Sequence, residues 1–139
     1  WLENELADSD ADVHLIGSSI QLIPNDHGYE KWGNFPKERQ RFFDLIVKTA
    51  PSRPIILSGD RHIAEFSKID LKGLEFPLYE FTSSGLTHTW SLGETEKNVY
   101  RMGSLIISKN FGIIDIYKIP KIISLKYVFK LNSEYLWIR

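Results

Sequence analysis

The sequence predicts an α/β (α+β) chain whose second half is rich in β-strands. Residues 36–50 begin with a proline, a residue that suits the first turn of a helix, and carry apolar side chains at helical spacing. Residues 54–58 form a short apolar run, typical of a strand covered on both faces. Beyond residue 62, several segments alternate apolar and polar side chains, as half-buried strands do. A helix, a buried strand and a β-rich remainder together indicate this class.

The part of the chain before the predicted helix reads as helix, strand and loop. Residues 1–9 have the pattern of the last turns of a helix, with two leucines four positions apart on one face. Residues 13–16 are a strand candidate. Residues 25–34 are polar and contain glycine, which predicts a surface loop that carries Tyr29 and Trp32.

The second half of the chain is predicted to contain several strands and few helices. Residues 110–112 are a hairpin-turn candidate, residues 93–98 a charged loop, and the apolar tail at 135–138 is expected to dock on the rest of the protein. The strand candidates are residues 63–69, 78–82, 105–108, 113–117 and 122–131.

Composition excludes several classes of protein. The 139 residues carry a formal net charge of -1, which argues against a nucleic-acid surface built on bulk charge. Hydrophobic residues make up 42%, enough for a packed core. The absence of cysteine excludes disulfides, thiolate metal ligands and cysteine nucleophiles. No apolar run approaches the roughly 20 residues that a membrane-spanning helix needs, and the sequence itself assigns no compartment.

The stretch 54–62 carries the strongest functional signal. Gly59 ends the apolar run, and Asp60 and His62 follow it. Residues two apart in an extended segment point to the same side, so a carboxylate and an imidazole would converge just past the end of a buried strand. That arrangement fits a metal site. The alternative is that Asp60 caps a turn and His62 is a hydrogen-bonded loop residue.

Four segments of the sequence carry a resemblance to a known family, and a fifth match, Asn110-Phe111-Gly112 followed by Ile114-Asp115, is looser. The four segments are Trp1-Leu2-Glu3 with Leu6 and Ser9, the run 32–39 that opens the helix, the run 57–62, and the run 80–88. In this order they resemble the carboxy-terminal half of PhoD-like alkaline phosphatases, within the calcineurin-like metallophosphoesterase superfamily. The resemblance spans nearly the whole chain.

The resemblance implies a four-layer αββα sandwich, of which residues 1–139 would be the carboxy-terminal part of a single domain. It implies hydrolysis of phosphate esters by a metal-activated hydroxide, with Asp60 and His62 as ligands of a two-metal centre. Iron and calcium are the metals associated with this family, and an oxygen donor at position 60 favours harder cations. Most ligands would lie upstream, so this piece alone is expected to be inactive. A location outside the cytoplasm agrees with the resemblance.

Further side chains are candidates for the same site. His88 follows the neighbouring strand and would act as a proton donor or support a ligand. Arg61 would reach a phosphate oxygen or, as the favoured alternative, form a structural salt bridge. Trp32 and Tyr29 would line the pocket mouth or pack on the core. His27 is expected to be solvated.

One departure from the superfamily pattern supports a second hypothesis. The superfamily places a histidine ligand after a strand in the region 13–23, where this sequence reads Gly17-Ser18-Ser19, and His14 lies within the strand. The alternative function is therefore a catalytically degenerate binding or regulatory module on the same scaffold.

Overall fold

The computed structural model describes residues 1–90, 96–119, 122–131 and 134–138. It confirms the predicted α/β (α+β) class, with a mixed sheet and few helices. The elements are α1 (Leu2–Ala7), β1 (His14–Gly17), a 3-10 turn (Trp32–Asn34), α2 (Pro36–Thr49), β2 (Pro54–Ser58), β3 (Ala64–Ile69), β4 (Leu78–Ser83), β5 (Arg101–Ile106), β6 (Asn110–Ile119), β7 (Ile122–Leu131) and β8 (Glu134–Ile138).

The first five strands form one sheet in the order β1-β2-β4-β3-β5. β1, β2 and β4 run parallel, whereas β3 pairs antiparallel with β4 on one side and with β5 on the other. The register pairs Gly17 with Leu57 and Ser58 with Thr82. The carboxyl ends of the three parallel strands therefore meet at one edge, where open α/β sheets bind ligands.

The helices cover one face of this sheet. Phe42, Phe43 and Ile46 on the apolar stripe of α2 are buried in a core that also includes Ile56 of β2 and Leu78 of β4. Burying such side chains contributes roughly 1.5–3 kcal/mol each. The stripe read from the sequence is therefore the face that α2 packs on the sheet.

A second sheet lies against the other face. β6, β7 and β8 pair antiparallel in that order. Ile114 of β6 packs on a core that includes Ile55, Phe66 and Phe81, and the rings of the two phenylalanines meet edge to face with centroids 4.8 Å apart. The two sheets thus share a core, with helices on the outer face of the first.

Two features of the second half differ from the prediction. Residues 110–112 do not form a hairpin turn; they begin β6, and β5 and β6 lie in different sheets. β5 begins at Arg101, earlier than predicted, since residues that looked unpatterned pair with β3. The tail pairs with β7 as β8.

Parts of other predictions lie outside the described residues. Residues 93–95 of the charged loop do, as do the side chains of 122–131 and of the tail, whose burial was predicted. Among the described residues, no helix has the length and apolar character needed to cross a bilayer.

Candidate metal site at the carboxyl ends of the parallel strands

Three loops leave the edge where the parallel strands end. Residues 18–24 follow β1, residues 59–62 follow β2 and residues 84–90 follow β4. Because the three strands are neighbours and run the same way, their loops lie side by side. Every side chain predicted for the site belongs to these loops or to the polar loop before α2.

The loop after β2 is a tight turn and not the extended segment predicted from the sequence. Asp60 has a φ of 68° and His62 a φ of 53°, both in the left-handed region. The N–H of Arg61 donates to the carbonyl oxygen of Gly59 at 2.8 Å. Non-glycine residues adopt this region rarely, and they keep it where the surroundings hold them there. The alternation argument for Asp60 and His62 was therefore wrong in its geometry.

Asp60 and His62 differ in their surroundings. The Asp60 side chain is exposed, whereas His62 is half-buried. The backbone N–H of His62 donates to Oγ of Ser84 at 2.9 Å. Nδ1 of His62 is buried and has no hydrogen-bond partner among the described residues. A buried polar atom left without a partner costs free energy, so such an atom calls for an explanation. A neutral imidazole nitrogen in this state is able to ligate a cation.

The loop after β4 brings two aromatic rings to His62. The imidazole of His88 lies edge-on to it, with ring centroids 4.1 Å apart at 73°. The indole of Trp90 stacks on it at 5.4 Å and 12°. Nδ1 of His88 hydrogen-bonds Oγ1 of Thr87 at 3.0 Å, and the His88 side chain is exposed. The structure brings His88 next to His62; its role in proton transfer stays a prediction.

Arg61 points into the protein and is only 4% exposed. Its Nη1 donates to Oε1 of Gln21 at 3.1 Å, and its Nη2 forms an ion pair with Oε2 of Glu96 at 2.7 Å. The guanidinium lies over the ring of Tyr29, 4.4 Å from its centroid. These contacts match the structural salt bridge that was the favoured alternative for Arg61.

The two aromatic residues predicted at the pocket mouth have different surroundings. Trp32 packs on Phe42 with ring centroids 5.7 Å apart, and its Nε1 donates to Oγ of Ser18 at 3.2 Å. This is the core contact weighed as the alternative. Tyr29 stays partly exposed beside Arg61. Substrate contact by either ring stays a prediction.

His27 is not solvated, contrary to the prediction. It is 5% exposed, and its Nδ1 accepts the N–H of Tyr29 at 3.2 Å. Burial, with the nearby charge of Arg61, lowers the pKa of His27 to about 4. The loop 25–34 looked polar enough to lie wholly in solvent, but it folds this ring inward.

Beneath the site lies a layer of buried polar side chains that was not predicted from the sequence. Glu80 of β4 accepts the N–H of Leu22 at 2.9 Å and that of Ile23 at 2.5 Å. Burial raises the pKa of Glu80 to about 7. Oγ of Ser58 hydrogen-bonds Oγ1 of Thr82 at 2.9 Å. The sequence carries one signal of this layer. Glu80 and Thr82 alternate with Phe81 along β4, so their side chains lie on the opposite face of the sheet, which the helices cover.

The site offers an incomplete set of metal ligands. Its candidate donors are the Asp60 carboxylate, His62 and His88. Within the described ranges, no three histidine, aspartate or glutamate side chains are grouped closely enough to hold a metal ion. The unpartnered Nδ1 of His62 is chemically suited to ligate a metal ion, but the described donors do not complete a site.

The comparison with solved structures identifies a similar fold. The chain matches a structure described as "Structure of PhoD" with a TM-score of 0.64 and 14% sequence identity. The match covers 100% of this chain and 34% of the PhoD chain. No protein-family model matches the sequence, and no curated protein matches it. At this identity the likeness concerns the fold alone: over its whole length, the chain has the α+β fold of about a third of PhoD.

Proposed function

We propose that these 139 residues form the carboxy-terminal part of a metal-dependent phosphoesterase domain and that Asp60 and His62 are two of its metal ligands. The observation that carries the proposal is the place of a buried, unpartnered Nδ1: Nε2 of His14 and of His27 are also buried without a partner, but of these three histidines only His62 lies in the turn at the carboxyl end of β2. The PhoD-like fold supports it, since the turn ends a parallel strand of that fold.

Each side chain has a defined part in this proposal. Asp60 supplies a carboxylate oxygen and His62 an imidazole nitrogen. Iron accepts both kinds of donor, whereas calcium takes oxygen ligands and would be bound by Asp60 only. When bound, such a metal centre lowers the pKa of a water molecule and neutralises the phosphate oxygens. His88, exposed beside His62, holds or donates a proton at the leaving group of a phosphate ester.

The remaining ligands are proposed to come from outside these 139 residues. The chain spans 34% of the PhoD chain, and its described residues contain no complete ligand cluster. A two-metal centre of iron and calcium is the form that we propose for the completed site. The isolated chain is accordingly expected to bind metal weakly and not to turn over phosphate esters.

Metal binding by the chain itself is a direct test. Mn²⁺, which is paramagnetic, is titrated into the ¹⁵N-labelled chain and amide signals are followed by NMR. We expect broadening centred on residues 59–63 and 84–88. Asp60→Asn and His62→Gln should each weaken it by more than the roughly 10–100-fold that losing an outer partner of a metal site costs. Broadening elsewhere, or unchanged in both variants, would overturn the proposal.

Asp70→Asn is the matched control. Asp70 is an exposed aspartate just after β3, at the opposite end of that strand from the candidate site. It should leave the Mn²⁺ response unchanged. For catalysis, the complete natural gene product that contains these residues is assayed on p-nitrophenyl phosphate and on its diester, with and without Asp60→Asn.

The incomplete ligand set also favours a second candidate, a degenerate binding or regulatory module. Residues 17–19, where the superfamily pattern has a histidine ligand, contain only glycine and serine. Elemental analysis of the complete gene product separates the two: two bound metals per chain favour the enzyme, and none favours the module.

A further inference from the structure

Five residues beneath the candidate site form a closed ring of hydrogen bonds, four between side chains and one to a backbone carbonyl oxygen. Arg61 donates from Nη1 to Oε1 of Gln21 at 3.1 Å, and Nε2 of Gln21 donates to Oε1 of Glu65 at 2.6 Å. Oε2 of Glu65 accepts from Nε of Arg101 at 2.6 Å. Arg101 donates from Nη1 to the backbone carbonyl oxygen of Glu96 at 2.8 Å, and Oε2 of Glu96 accepts from Nη2 of Arg61 at 2.7 Å. We call these five residues the arginine ring.

The arginine ring is attached to the sheet by buried side chains. Gln21 and Glu65 are both 0% exposed, and Nε2 of Gln21 also donates to Oγ1 of Thr82 at 2.8 Å. Glu65 lies in β3 and Arg101 in β5, so two strands fix one side of the ring. Arg61 is the member that belongs to the loop after β2, which also carries Asp60 and His62. Hydrogen bonds to charged groups in a water-poor interior are stronger than those at the surface.

This placement has a consequence for the backbone of the loop. Arg61 stands between Asp60 and His62, whose φ angles of 68° and 53° are uncommon for residues with a Cβ. Such conformations persist where neighbouring contacts over-determine them. Arg61 is the middle residue of the turn. Its planar guanidinium makes two hydrogen bonds and lies over the ring of Tyr29, and these contacts fix its position.

The loop after β2 has partners from two other parts of the chain. Arg61 is paired to Glu96, which lies 35 positions away and precedes β5. The imidazole of His62 contacts His88 and Trp90 from the loop after β4. Two neighbouring side chains of the turn are therefore both held by residues distant in sequence.

We infer that Arg61 is a positioning residue: through Gln21 and Glu96 it holds Asp60 and His62 in the turn that presents them to a metal cation. The role toward the metal rests on the proposed function, whereas the effect on loop order does not. Arg61 is not a metal ligand itself, because a guanidinium is a cation that has N–H donors and no acceptor.

The test compares Arg61→Lys with Arg39→Lys. A lysine ammonium keeps the charge but lacks the fork that bonds two partners at once. Arg39 is a matched control, since its guanidinium also donates to two acceptors, the backbone carbonyl oxygens of Leu22 and Ile23 in the loop after β1. Two quantities are measured on folded protein: the ¹⁵N order parameters of the Asp60 and His62 amides, and the Mn²⁺ dissociation constant.

The arginine ring predicts different outcomes for the two variants. Arg61→Lys should lower the order parameters of both amides from about 0.85 to below about 0.6 and raise the Mn²⁺ dissociation constant roughly 10–100-fold. Arg39→Lys should change neither. If Arg61→Lys does not fold, Glu96→Gln replaces it, with a smaller change of the same sign.

Failures of this inference and of the proposed function are separable. Order parameters that match in Arg61→Lys and Arg39→Lys would overturn the positioning role, whatever Mn²⁺ does. Lowered order parameters without Mn²⁺ binding by the unmodified chain would support the ring and contradict the metal site. A change in affinity without a change in loop order would overturn the mechanism given for Arg61.

Discussion

The indole of Trp90 lies nearly parallel to the imidazole of His62, with ring centroids 5.4 Å apart. One aromatic pair of this kind contributes about 0.5–1.5 kcal/mol beyond its buried area. Trp90→Ala should therefore lower the free energy of unfolding by about 1 kcal/mol, and Trp90→Phe by less, as measured by urea unfolding. Trp1→Ala, whose indole is almost fully exposed, is the control and should change it by less than about 0.5 kcal/mol. Equal losses in Trp90→Ala and Trp1→Ala would contradict the stacking.

Glu80 makes stability depend on pH in a defined direction. Its pKa in the folded chain is raised from 4.5 to about 7 because the carboxyl group is buried. Between these values the folded state holds a proton that the unfolded state has released. The contribution of Glu80 is therefore full below pH 4.5 and is lost as pH rises through about 7.

The comparison with Glu80→Gln isolates this contribution. Relative to that variant, the unmodified chain should lose up to about 3 kcal/mol of unfolding free energy between pH 4.5 and 8. Urea unfolding at intervals of one pH unit measures the difference. A difference that is flat with pH would show that Glu80 ionises in the folded chain as it does in water.

His27 acts in the opposite direction. Burial, with the nearby charge of Arg61, lowers its pKa in the folded chain from 6.5 to about 4. The unfolded state then binds more protons between these values, so the contribution of His27 is present above pH 6.5 and is lost as pH falls through about 4. Relative to His27→Gln, the unmodified chain should lose stability over that range. NMR titration of the His27 ring checks the cause, and a midpoint near 6.5 would refute it.

The Arg61–Glu96 pair should behave as a buried ion pair. Removing one partner of such a pair leaves an unpaired buried charge and typically costs about 3–5 kcal/mol. Arg61→Met should therefore destabilise the chain by an amount in that range, and Arg61→Met with Glu96→Leu should cost less than the single change. Chemical denaturation of both variants and of Glu96→Leu completes the cycle. A double variant as unstable as the sum of the single ones would show that the two charges do not interact.

The regular elements of this fold could be predicted because their signals are local. The stripe of α2 and the apolar run of β2 are written in residues that are neighbours in sequence, and both formed where expected. The position of Asp60 and His62 after β2 followed from the same run. β5 was misplaced because Arg101 looks like a loop residue and becomes a strand residue only by pairing with β3.

The geometry of the site could not be predicted in the same way. The turn at Asp60 and His62 depends on partners of Arg61 that lie 40 and 35 positions away. The same holds for Gln21, whose buried partner Glu65 is 44 positions along the chain. A polar residue at a buried strand position shows only that it needs a partner, and not which one.

The central claim is that Asp60 and His62 bind one cation, and a crystal of the chain soaked in Mn²⁺ tests it most directly. We expect an anomalous peak within about 2.0–2.6 Å of both a carboxylate oxygen of Asp60 and a ring nitrogen of His62. A peak that touches neither residue, or no peak while Nδ1 of His62 bonds another protein group, would contradict it.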